Sequence, residues 1–163
     1  MAIDVYLQID TIKGESTDSS HKDWIECKSV AWEVLQPKSA TASTGGGHTA
    51  ERCEHKDIVL TKLADLATPL LLQNCSSGKT FPKAKFEFLR ADSKGERVKY
   101  FEIELLNVLV SGVAPVVDGG DILHETVSLK YSQVKWKYLQ QKVSGGAGGN
   151  TAGGWDLSTN KTV

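Results

Sequence analysis

The sequence predicts a mainly β fold of barrel type with one short helix. Three observations carry this: apolar residues recur at every second position along several segments, the phase of that alternation slips within the longer ones, and only one stretch has helix start and stop signals. With 163 residues, the chain can withdraw about 68–70% of its unfolded surface from water. It needs no disulfide staple.

In the first strand Ile3, Val5, Leu7 and Ile9 alternate with Asp4, Tyr6, Gln8 and Asp10, so one face meets a core and the other meets water or a neighbour. A turn-like segment from Lys13 to Asp23 leads to a second strand with Ile25 and Cys27, then Val30, Trp32 and Val34. Its inward parity changes between Cys27 and Val30, which predicts a bulge. Further strands fall around Ile58 and Leu60, over Ala84, Phe86 and Phe88, and over Phe101, Ile103 and Leu105. A last long strand carries Leu123, Val127, Leu129 and Tyr131, then shifts phase to Val134, Trp136 and Tyr138. Long bent strands of this kind build barrels.

The helix is predicted over Thr68 to Gly78, with Thr68 as N-cap, Pro69 at the first helical position and Gly78 just past the end. Leu71, Leu72 and Cys75 form one apolar stripe, able to cover an open end or side of the barrel. Two stretches do not read as packed structure. Pro37 to Glu54 holds Ser39, Thr41, Ser43, Thr44 and the run Gly45-Gly46-Gly47, and Val143 to Gly154 has six glycines in twelve residues. The tail beyond, with Trp155 and Leu157, is expected to dock. No repeat or break in composition divides the chain, so a single domain over 1–163 is expected, with an extended loop at about 38–54 and a glycine-rich segment at about 143–154.

Charge excludes some functions. Nineteen Lys and Arg against 20 Asp and Glu leave a formal charge of −1, which gives no global reason to expect nucleic acid or an anionic membrane as partner. The longest apolar stretch, around Leu105 to Val110, is far short of the roughly 18 residues of a membrane span. The start, MAIDVYLQID, lacks the basic residues and apolar core of a secretory signal, and Cys27, Cys53 and Cys75 are odd in number with no Cys-x-x-Cys. A soluble protein made in a reducing cytoplasm is expected.

The candidate motifs resolve into structural readings. Gly78-Lys79-Thr80 has the end of a phosphate-binding loop, but Gln73 stands where its first glycine belongs, and a helix precedes it where a strand should. The helix end nearest Lys79 is the partly negative one, so Gly78 reads as a helix cap and Lys79 as a cation suited to that dipole. His48, Cys53 and His55 are close in sequence but lack a second matched pair of ligands, so no metal is expected. Glu102 and Glu104 share a strand face about 6.6 Å apart, a spacing that could serve a glycosidase, yet the surrounding alternation marks a solvated face. His21, His124 and the scattered serines form no nucleophile-base arrangement. No catalytic residue and no cofactor is expected. Trp32, Trp136, Tyr131 and Tyr138 sit on strand alternation, which favours packing over base stacking, although Lys135 and Lys137 flank Trp136.

Several runs, in this order and spacing, resemble one known family. They are Lys13-Gly14-Glu15-Ser16, Ala31-Trp32, Leu60-Thr61-Lys62, Thr68-Pro69, Cys75-Ser76-Ser77-Gly78-Lys79, Phe81-Pro82-Lys83-Ala84-Lys85, Val108-Leu109-Val110-Ser111, Glu125-Thr126-Val127-Ser128-Leu129 and Gly154-Trp155. From Met1 to Trp155 the chain resembles the haemolysin-coregulated protein (Hcp) family of the type VI secretion system. The resemblance implies a β-barrel of two packed antiparallel sheets with a helix at its side. It implies six copies closing into a ring, rings stacking into a hollow tube, and contact with sheath, spike and secreted effector proteins. It further implies that the tube leaves the cytoplasm whole, without a signal peptide, when a sheath contracts, and that the ring can hold small toxins. In the family the loop after the second strand reaches an adjacent subunit or ring; here that assigns assembly to Ser39, Thr44, Gly45, Gly46, Gly47, His48, Glu51 and Arg52. The alternatives are a monomeric barrel binding a small molecule and a phage-type tail-tube protein. An enzyme using Lys79 or the Glu102/Glu104 pair is the remaining rival.

Overall fold

A computed structural model describes residues 3–37, 52–120, 122–143 and 147–163. In chain order the elements are β1 (Ile3–Ile9), β2 (Ile25–Cys27), β3 (Ser29–Ala31), β4 (Val34–Leu35), β5 (Glu54–His55), β6 (Ile58–Leu63), α1 (Thr68–Ser77), β7 (Thr80–Ala91), β8 (Arg97–Val116), β9 (His124–Lys130), β10 (Gln133–Gln141), β11 (Ala147–Asp156) and β12 (Lys161–Thr162). All ladders are antiparallel. The main layer has the order β12-β11-β10-β8-β7-β1-β2; the second layer is β3-β6-β9, and β9 also pairs with β8. A separate hairpin joins β4 to β5.

Two corners connect the layers and give the fold its barrel-like character. At Lys28, whose N–H donates to the Thr61 carbonyl at 2.7 Å, the chain stops pairing with β1 and starts pairing with β6. The bulge expected between Cys27 and Val30 is thus a corner where the strand changes partners. The second corner is in the 20-residue β8, which pairs with β10 up to Leu106 and with β9 from Leu109. Between them Asn107 has a φ of 54°, and the buried parity switches from Ile103 and Leu105 to Val108 and Val110. Asn is one of the few side chains that tolerate this left-handed conformation. Its Nδ2 donates to Ser132 Oγ at 2.8 Å, fixing the branch point.

Register places the core in rows across the main layer: Ile9-Ala84-Leu105-Val134-Trp155, Leu7-Phe86-Ile103-Trp136-Gly153 and Val5-Phe88-Phe101-Tyr138-Thr151. Ile25 extends the Leu7 row onto β2, while Ile58, Leu60, Val127 and Leu129 close over the rows from the opposite side, all at most 1% exposed. The buried side chains of the rows and of their cover form one core cluster. Over β10 and β11 the rows run beyond this cover, so Trp136 and Trp155 are half-buried and Tyr138 is exposed.

Three expectations need correction. The last long strand is two, because Tyr131 and Ser132 separate β9 from β10 and send them to different neighbours. The glycine-rich stretch is a regular strand over Ala147–Asp156, where it forms β11 and pairs with β10 while remaining largely exposed. Glycine gives no alternation to read, and the pairing comes from the partner strand. The helix is where it was expected, but Ala67 is its N-cap residue. Thr68 is buried, accepting from the Asp65 N–H at 3.0 Å and donating to Glu125 Oε1 at 2.9 Å. At the other end Gly78 adopts a φ of 68° and its N–H bonds the Asn74 carbonyl, as a helix C-cap. Leu71 and Cys75 face the core while Leu72 is exposed.

Lys62 and Glu125 form a buried ion pair. Alternation along β6 and β9 turns both inward, directly opposite each other, and both are fully buried. Lys62 Nζ also donates to the Leu63 carbonyl at 3.0 Å and to Asp65 Oδ1 at 2.9 Å. This polar knot ties β6, β9 and the start of α1 together.

Candidate assembly interface

The main layer has two ends. β2 pairs with β1 on one side, and β11 pairs with β10 throughout but with β12 only at Trp155 and Asp156. Among the described residues, neither β2 nor residues 147–154 of β11 has a second ladder partner. Such edges template pairing with another chain. Strand direction alternates along the layer, so β2 and β11 run in opposite directions.

The outer face of this layer is polar and ordered in rows. One runs Glu26-Tyr6-Glu87-Glu102-Lys137-Ala152, the next Gln8-Lys85-Glu104-Lys135-Gly154. Glu87 faces Glu102, a like-charge pair that is unfavourable alone. Lys99 compensates, 2.6 Å from Glu102 and 3.5 Å from Glu87, as does Lys85, 3.1 Å from Glu87 and 3.7 Å from Glu102. Lys83 lies 3.3 Å from Glu104. Glu102 and Glu104 are therefore members of an ion-pair lattice.

His21 closes the lattice at the β1 side. It is buried, stacks on Tyr6 with ring centres 4.5 Å apart and meets Trp24 edge-on. Its Nδ1 lies 2.7 Å from Asp18 and its Nε2 2.6 Å from Glu87, so the turn before β2 is clamped to β7. Burial alone would raise the Glu87 carboxyl, but hydrogen bonds from His21 and Lys85 and the charges of Lys99 and Lys85 outweigh it and hold it below the ordinary range. The His21 hydrogen bond likewise lowers Asp18. Sequence reasoning found no context for His21, because Asp18 three residues before it is one polar residue in a turn and its other partner, Glu87, is 66 residues away.

Beside the β2 end lies a cavity of about 720 Å³, lined by Asp4, Glu15, Asp18, Glu26 and Asp65 against Lys28 and Arg97. Arg97 and Asp4 form an ion pair. Burial, aided by the charges of Asp65 and Glu26, pushes the Cys27 thiol in this wall up to about 12. A shift in that direction favours the protonated thiol at neutral pH.

At the other end the β4–β5 hairpin overhangs β10 and β11, leaving a cavity of about 820 Å³ lined by Val34, Leu35, Arg52, Cys53, His55, Trp136 and Trp155 among others. His55 stacks near Trp136 and its Nδ1 lies 2.8 Å from the Tyr131 hydroxyl. Burial lowers the His55 imidazole and, with the charges of Asp57 and Cys53, raises the Tyr131 phenol to about 12. Cys53 and His55 share this wall. Of the residues assigned to assembly, Ser39, Thr44, Gly45, Gly46, Gly47, His48 and Glu51 lie outside the described residues. Arg52 is described, and its Nη2 donates to the Leu157 carbonyl of the same chain at 2.9 Å. Lys79, released from the phosphate reading by the Gly78 cap, sits 5.3 Å over the Phe81 ring.

An antiparallel, barrel-like β fold with two sheet ends open among the described residues and an ion-paired outer face is the class of protein that the structure defines. Residues 6–138 match the family model described as type VI secretion system effector, Hcp. The chain is 38% identical to Protein hcp1 of Pseudomonas aeruginosa over 162 residues, 98% of each protein. It is 26% identical to the Major exported protein of the same organism over 148 residues, 83% of this chain and 78% of that one. Among solved structures, Hcp1 from Salmonella typhimurium aligns over the full length of both chains at 32% identity with a TM-score of 0.79. A structure described as a type six secretion system protein aligns over 99% of this chain and 100% of that one at 30% identity with a TM-score of 0.90. The chain belongs to the Hcp family of type VI secretion proteins.

Proposed function

We propose that this chain is the tube subunit of a type VI secretion system: six copies close into a ring, rings stack into a hollow tube, and the tube is expelled from the cytoplasm with its effectors, holding cargo in the bore. The observation that carries this reading is the pair of unpartnered edges at opposite ends of one layer, β2 and β11. They run in opposite directions, so copies related by rotation about an axis along the strands join them antiparallel and remove both edges. A contact of this type uses two different patches on each subunit and closes when the rotation fits. The chain then acts by assembly, with no bond-making step. A monomeric small-molecule barrel would leave both edges unpaired.

Sedimentation of the purified full-length chain tests the reading. A species of six chain masses is expected, together with contact to sheath and spike components on mixing; a monomer at every concentration opposes it.

A further inference from the structure

We propose that opposite charges on the two ends of the main layer specify the junction between copies, with Glu26 beside one edge and Lys137 beside the other as the central pair. This rests on the ring reading above, and it assigns the residues that give the ring its direction.

The row Glu26-Tyr6-Glu87-Glu102-Lys137-Ala152 crosses the outer face from one end to the other. It begins on a carboxylate and ends with an ammonium next to a residue that has only a methyl group. The chemistry around each end agrees. Near β2 the cavity wall holds five carboxylates and two cations; Asp4 is paired with Arg97, Asp18 with His21 and Asp65 with Lys62, which leaves Glu15 and Glu26 against Lys28. The far end is basic: β10 to β12 carry Lys135, Lys137 and Lys161 against Asp156. Glu26, Lys135 and Lys137 are exposed, and none of the three makes an ion pair among the described residues, whereas the lysines and glutamates between them are engaged with one another.

Geometry allows the two ends to meet. If β2 of the next copy continues the layer beside β11, Lys137 and the next copy's Glu26 stand about 10 Å apart, two strand spacings. That is a span their extended side chains cover. Ala152 and Gly154 place nothing bulky in between. The alternative pairing of β11 with β11 sets lysines against lysines, and β2 with β2 sets carboxylates against carboxylates. The arrangement therefore disfavours a symmetric dimer and favours the head-to-tail contact a ring requires.

The test is sedimentation velocity across protein concentration for the full-length chain, Glu26→Lys, Lys137→Glu and the double reversal, with circular dichroism to confirm folding. Each single reversal is expected to raise the midpoint of ring assembly at least about tenfold, and the double reversal to recover most of that loss. Raising salt from about 0.05 to about 0.5 M should raise the midpoint of the unmodified chain, since screening shortens the reach of such pairs. Single reversals that assemble like the unmodified chain, or salt-independent assembly, overturn this inference and leave the ring reading standing. Failure of the unmodified chain to form rings overturns both. Should a reversal variant misfold, the salt dependence decides.

Discussion

His21 Nε2 lies 2.6 Å from Glu87 Oε2, joining a turn near the N-terminus to the middle of β7. The contact is the inner end of a lattice that runs through Lys85, Lys99 and Glu102 across the outer face. Removing the imidazole with His21→Ala loses two charge-assisted hydrogen bonds and the Tyr6 stack. A loss of about 1.5–3 kcal/mol is expected in urea unfolding.

The same pair sets an acid sensitivity. The Glu87 carboxyl is held below its ordinary value of 4.5 in the folded chain. Its contribution is therefore complete above that value and is lost as pH falls through the lower folded one. Between pH 6 and pH 3 the stability of Glu87→Gln should fall less steeply than that of the unmodified chain. Parallel acid limbs in the two unfolding series would remove Glu87 from the account.

Lys62 and Glu125 behave as a unit. Lys62→Ala strands a fully buried carboxylate and should cost about 3–5 kcal/mol, whereas Lys62→Met combined with Glu125→Leu should be close to neutral or stabilising. Chemical denaturation of both variants checks this, and equal losses would show that the pair itself is favourable.

At Asn107 the backbone conformation matters most. Asn107→Ala puts a less tolerant residue at a φ of 54° and drops the Ser132 hydrogen bond, for an expected loss of about 1–3 kcal/mol. Asn107→Gly keeps the conformation and should lose less; the two melting curves decide the order.

Gly14 is required by space. A Cβ there would stand 2.5 Å from the Trp24 carbonyl oxygen and 2.7 Å from Ile25 Cα, both backbone atoms that cannot step aside. Gly14→Ala should destabilise by about 1–3 kcal/mol, and an unchanged thermal midpoint would mean that the turn is loosely held.

How legible the fold was depended on which residues carried side-chain pattern. Val5-Leu7-Ile9, Phe86-Phe88 and Ile103-Leu105 alternate cleanly, and each lies on a core row. β11 has no such pattern, because its glycines, two alanines and Thr151 take their register from Gln133–Gln141. Phase slips were visible, but their cause was not: a bulge and a change of partner strand shift parity in the same way, and only the pairing at Lys28 and Asn107 distinguishes them. The buried ion pair left a readable trace. Ile58-Leu60-Lys62 and Glu125-Val127-Leu129 each place one charge at an inward position, which signals a partner. The two ends of the layer were not legible, since a strand's free edge is a property of the whole sheet.

Electron microscopy of the purified chain tests the central claim most directly. Ring-shaped particles with sixfold symmetry and an open bore, stacking end to end at high concentration, are the expected result. Solid globules of single-chain size, with no central hole at any concentration, would contradict it.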